Sequence, residues 1–237
     1  MKTKTSTLKY VLAVASSAGL LATTPAIAEG PMATDDAGTL VPGGMKVEAV
    51  VSRDDKTRGS EIGFGYSPFE KVEIGLIFAR ESDRSDDPST NINGTGFGIK
   101  WVPIQNDTGW SLGVSLGYGR AKVDVRAADN KFTEKEYALA GLATYRFVSG
   151  QVLHMNVGGA RVKAEGESDT VGTWGIGYEF PLMERLQLTV EAFGAEHARP
   201  DKAIGLRYEV FDGFKVSGAV GRGNDRSFGQ LGVAWEF

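Results

Sequence analysis

The chain contains no cysteine and only two histidines, His154 and His197. Without cysteine there is neither a disulfide framework nor a thiolate metal site. Two histidines leave little material for imidazole chemistry, and no cofactor is implied. Basic charge is not in excess either: the formal net charge is −4. That balance argues against nucleic acid as a partner, because phosphate binding needs a basic face. Long apolar runs are also missing. The longest, Tyr10 to Leu21, falls short of the ~20 residues that a membrane-crossing helix needs. Helical periodicity is absent beyond that run.

What is present begins with an address. Lys2, Lys4 and Lys9 precede the apolar run, and Thr23-Thr24-Pro25-Ala26-Ile27-Ala28 follows it with a small-x-small end. This is the layout of a secretory signal peptide cut after Ala28. Its removal takes the formal charge from −4 to −7, since residues 1–28 hold three lysines and no acid. Residues 29–44, with two prolines and four glycines, read as a periplasmic N-terminal lead-in to a domain over 45–237.

From Met45 onward the period is two, the strand period. Met45, Val47, Ala49 and Val51 alternate with Lys46, Glu48, Val50 and Ser52. The same rhythm recurs in Trp110-x-Leu112-x-Val114-x-Leu116-x-Tyr118 and in Leu186-x-Leu188-x-Val190-x-Ala192, giving twelve strands in all. Tight connections (Ser67 to Glu70, Val148 to Gln151, Pro181 to Glu184, Phe211 to Phe214) alternate with polar, often longer ones. Of the polar set, Glu81 to Asn91 and Val123 to Thr133 are the segments best suited to form a lid. Short turns at one rim and polar loops at the other predict an all-β, antiparallel, up-and-down transmembrane β-barrel of a Gram-negative outer membrane. Both termini then lie at the periplasmic rim.

A soluble sandwich would also alternate. Here, however, the second face is full of glycine (Gly63, Gly65, Gly98, Gly113, Gly117, Gly175, Gly177, Gly205, Gly232). Glycine weakens an open strand and suits the close walls of a small closed barrel. Aromatics such as Tyr66, Trp101, Trp110, Phe147, Phe180, Tyr208 and Trp235 gather near the short turns. They form the girdle expected at a membrane interface.

Two resemblances add to this. The final strand, Leu231-x-Val233-x-Trp235-x-Phe237, resembles the terminal signal of outer-membrane barrels, which implies the barrel-assembly machinery as a partner. The segment Ala33-Thr34-Asp35-Asp36-Ala37-Gly38-Thr39, followed by Pro42-Gly43-Gly44, is similar to the start of transporter-like barrels of the phenol-degradation meta-pathway family. That likeness implies passage of small hydrophobic or aromatic compounds and assigns no role to any residue.

With the apolar face toward outer-membrane lipid, the other parity lines the lumen. Its candidate residues are Lys46, Glu48, Glu61, Glu73, Lys100, Glu136, Arg146, His154, Glu179, Glu191, Arg207, Glu209, Lys215 and Glu236. Toward the periplasmic end, bases and acids are nearly balanced. A selective filter usually carries an excess of one sign, so a bracing salt-bridge lattice and a constriction for solutes are both open readings. His154 and His197 lack the serine spacing of barrel lipases, so no enzyme activity is expected. The pairs Asp35-Asp36, Asp54-Asp55 and Asp86-Asp87 follow no calcium-loop pattern and read as solvated acids. The resulting expectation is a passive, channel-like barrel for small molecules. The alternatives are a structural or surface-interaction barrel with a sealed lumen and, further off, a lipid-modifying barrel enzyme.

Overall fold

The computed structural model describes residues 30–85 and 87–237, so the expected signal peptide over 1–28 lies outside the described residues. Twelve strands follow one another: β1 (Met45–Asp54), β2 (Thr57–Phe69), β3 (Val72–Asp83), β4 (Thr90–Ile104), β5 (Gly109–Val125), β6 (Asn130–Arg146), β7 (Val152–Ala164), β8 (Glu167–Met183), β9 (Leu186–Ala195), β10 (Asp201–Phe211), β11 (Phe214–Gly223) and β12 (Arg226–Glu236). Each pairs antiparallel with its sequence neighbours, and β12 returns to β1, so the sheet is a closed barrel. The seam runs from Lys46 opposite Glu236 to Asp54 opposite Phe228. At the short-turn rim it is fastened by Met45 N–H donating to the Phe237 carbonyl (2.7 Å) and Phe237 N–H donating to that of Met45 (2.9 Å).

The parity read from the sequence sets the two faces. Leu76, Leu116, Leu139, Ile176, Leu206 and Leu231 all stand outward and exposed. In water each such side chain would forgo about 1.5–3 kcal/mol of burial; a belt of them closing on itself calls for a lipid surround. Aromatic side chains pack edge to face below that belt. The ring centroids of Trp110 and Tyr145 are 5.0 Å apart and those of Tyr145 and Phe147 are 4.7 Å apart.

The wall is uneven. Strands β4, β5, β6 and β8 have 15 to 17 residues, whereas β9 to β12 have 10 or 11. This shortens the connections expected over 81–91 and 123–133: β3 runs to Asp83 and β4 begins at Thr90. Strand β5 continues to Val125, a single 3-10 turn covers Arg126–Ala128, and β6 resumes at Asn130. The physical reason is a buried apolar cluster on the inner face of the tall wall, made by Ile92, Ala121, Val123, Val125, Phe132, Val162 and Ala164. The polar residues between them, Asp124 and Lys131, point the other way and pair with each other at 3.2 Å.

Candidate functional site: a segment held in the bore

Residues 29–44 have the composition of a periplasmic lead-in, yet residues 30–40 run inside the barrel. Their backbone is irregular, so each buried N–H needs a partner that no ladder supplies. The wall supplies them through side chains. Gly30 N–H donates to Glu48 Oε1 on β1 (2.8 Å). Ala33 N–H and Thr34 N–H both donate to Glu191 Oε2 on β9, at 2.9 and 3.0 Å, and the Thr34 hydroxyl adds a third bond at 3.1 Å. The Asn156 amide on β7 accepts from Asp35 N–H (2.7 Å) and donates to the Asp35 carbonyl (2.8 Å), as a neighbouring strand would. Ala37 N–H donates to Thr144 Oγ1 on β6 (2.7 Å), and Leu40 N–H to Glu73 Oε2 on β3 (3.1 Å). From β10, Arg207 Nε donates to the Gly30 carbonyl (2.8 Å), and from β12 the Gln230 amide donates to that of Pro31. Only an object inside the cylinder can touch β1, β3, β6, β7, β9, β10 and β12 at once.

Charge fixes the middle of this plug. Lys100 Nζ on β4 lies 3.2 Å from Asp35 Oδ1 and 3.2 Å from Asp36 Oδ1, with Lys100 and Asp35 both buried. Arg146 on β6 reaches Asp36 Oδ2 at 3.2 Å and Ser111 Oγ at 3.1 Å. Burial works against ionisation at both acids. At Asp36, Lys100, His154 and Arg146 outweigh it and hold the carboxyl well below the usual range. At Asp35, burial wins and pushes the carboxyl up. The pair therefore ionises first at Asp36. Of these two aspartates, read from sequence as solvated acids, Asp35 is buried and Asp36 keeps about a third of its side chain exposed; both meet the buried Lys100 ammonium.

Close approach also explains part of the glycine face. A Cβ at Gly177 would collide with the Met32 methyl, and one at Gly175 would lie 2.9 Å from Thr34 Oγ1. These β8 glycines make room for the plug and not for an opposite wall.

The predicted lumen residues divide by height. Glu48, Glu73, Lys100, Arg146, Glu191 and Arg207 touch the plug. Glu179 brings wall residues together: Arg207 Nη1 is 3.0 Å from its Oε1 and His154 Nε2 is 3.4 Å from the same atom. Lys215 pairs with Glu236 at 3.3 Å, and Glu209 accepts from Gly213 N–H at 3.0 Å. Lys46 is buried on β1 beside Glu48. Glu61 and Glu136 stand nearer the extracellular end, the former half-buried and the latter buried. The uncharged partners Ser111, Thr144, Asn156, Gln187 and Gln230 share the inward parity but escape a reading that follows charge alone.

Below the plug a cavity of about 340 Å³ opens toward the short-turn rim, with Met32, Thr34 and Asp36 on one side and Arg146, His154, Arg185, Arg207 and Lys215 on the other. His154 Nδ1 is 3.1 Å from Thr144 Oγ1. A hydroxyl, an imidazole and a carboxylate thus stand in line, but the hydroxyl already accepts from Ala37 and the carboxylate from Arg207. His197 is exposed in a loop beside Glu196.

A closed cylinder with an apolar outside and a polar, occupied inside defines an outer-membrane β-barrel. The chain belongs to the family described as "Uncharacterised conserved protein UCP029691", whose model matches residues 16–230. No curated protein matches the sequence. Among solved structures, the translocator domain of the autotransporter NalP from Neisseria meningitidis is similar over 82% of this chain and 88% of its own, at 15% identity and a TM-score of 0.59. The KdgM porin in complex with disordered oligogalacturonate covers 81% and 99%, at 13% identity and 0.57. LpxR from Salmonella typhimurium covers 80% and 99%, at 8% identity and 0.56. At these identities the likeness speaks to the fold.

Proposed function

We propose that this protein is a passive outer-membrane conduit for small molecules whose resting state is closed by its own residues 30–40. The observation that carries this reading is the seating of that segment by side chains from nearly the whole circumference. A lumen whose charges exist only to brace the wall would need no such partners on an irregular backbone segment. The near balance of charge toward the periplasmic end fits this picture, because the acids and bases there engage the plug and each other. The likeness of residues 33–39 to the opening of transporter-like phenol-degradation barrels supports small, partly apolar solutes as cargo, and the porin among the similar folds is consistent with passage. No catalytic role is proposed for His154, whose neighbours are engaged in anchoring.

Planar-bilayer recordings test the proposal. The mature chain should be silent or open rarely, and a chain lacking residues 30–40 should conduct persistently. A plug-free barrel that folds and stays silent would favour the alternative, a sealed structural or surface-interaction barrel.

A further inference from the structure

The outward face changes character toward the extracellular rim. On β5 the outward positions run Trp110, Leu112, Val114, Leu116, Tyr118 and then Arg120 and Lys122. The neighbouring strands end in the same way: Lys135 on β6, then Arg161 and Lys163 on β7, all exposed. The register sets these cations against each other. Arg120 is directly opposite Lys135, and Lys135 is directly opposite Lys163. Like charges facing across a ladder destabilise it. Among the described residues no carboxylate pairs with Arg120, Lys122, Lys135 or Lys163; the nearby Asp124 is taken by Lys131. Arg161 is held by Ser168 Oγ at 3.2 Å, and the Lys163 ammonium lies 5.3 Å from the Tyr137 ring centre. The pattern recurs elsewhere on the rim, with Arg53 opposite Arg58 and Lys202 opposite Arg222.

We infer that the β5–β7 patch of Arg120, Lys122, Lys135, Arg161 and Lys163 binds the phosphate groups of a phosphorylated glycolipid in the outer leaflet. The occupant follows from position and charge. The cations sit immediately above the lipid-facing apolar belt, at headgroup height, where basic side chains recognise anionic headgroups. Guanidinium groups take phosphate oxygens in paired, charge-assisted bonds. A phosphate between the strands would relieve the repulsion that the register imposes. The inference rests on the outer-membrane placement and is independent of whether the bore opens.

The test uses native mass spectrometry of the mature protein in detergent, chelator present, titrated with a bis-phosphorylated glycolipid or with the same glycolipid stripped of phosphate. The phosphorylated form should be retained at least about tenfold more tightly, and the Arg120→Gln/Lys135→Gln/Arg161→Gln variant should lose that preference. Equal retention of the two lipids means that acyl chains alone bind, which overturns the inference. Undiminished preference in the variant overturns it as well. If the triple variant does not fold, the single variants Arg120→Gln and Lys135→Gln make the same comparison, and an undiminished preference in both overturns the inference. Silent or conducting bilayers leave this result untouched, so its failure is separable from that of the plug.

Discussion

Lys100 is the residue on which the plug depends most. Its ammonium answers two carboxylates in a buried place, and removing one partner of a buried pair costs about 3–5 kcal/mol because the other charge stays behind. Lys100→Met should therefore lower the urea midpoint of the refolded barrel, and adding Asp35→Asn to it should recover part of the loss. The depressed Asp36 carboxyl makes a second expectation. Its folded value lies below its unfolded one, so the stability it brings is complete above the unfolded pKa of ~3.9 and drains as pH falls through the folded value. Bilayer conductance should stay low from pH about 7 to about 4 and rise only as the pH is taken further down, and Asp36→Asn should flatten that rise. Asp35 works in the opposite sense, since protonation relieves its burial, and comparison with Asp36→Asn isolates the share of Asp36. Little of this is legible in the sequence. An Asp-Asp pair next to glycine and threonine looks like any solvated loop, and its buried cation is 64 residues away from Asp36 along the chain.

At the scale of the strand, the sequence is far more legible. Alternation alone places twelve strands, their faces and their short turns, because a period of two allows one solution when one face meets lipid. It falls short where polar and apolar residues alternate beyond the membrane. Val123-Asp124-Val125 and Lys131-Phe132-Thr133 have a strand's pattern in a stretch whose polarity suggests a loop, and the inner cluster with Ile92 and Val162 decides for strand. The glycines of β8 show the other limit, since a missing side chain does not say what fills its place. Leucines at 175 and 177 should push Met32 and Thr34 away while leaving the β7–β8 and β8–β9 ladders paired. Gly175→Leu/Gly177→Leu should then conduct as the plug-deleted chain does, with the heat-resistant electrophoretic mobility of a folded barrel retained. Loss of that mobility would mean that the wall itself had failed.

For the whole molecule, orientation is the property to measure. Both ends of the strand array meet at the rim of short turns, where Met45 and Phe237 exchange hydrogen bonds. The opposite rim carries the tall wall and the cationic patch. The chain has no cysteine, so single substitutions report cleanly. Glu167→Cys, exposed at the start of β8, should react with an impermeant maleimide on intact cells. Ser149→Cys, exposed in the turn between β6 and β7, should react only after the outer membrane is breached.

The seat of residues 30–40 is shared among strands from the first to the last, so no half-finished sheet can receive them. The earliest stretch of the described residues must then wait for the latest. Either the cylinder zips shut around it, or it threads in afterwards through the periplasmic mouth. In both histories its hydrogen bonds are the last to form. Refolding of the mature chain should accordingly show a slow final phase, one that vanishes when the chain starts at Met45.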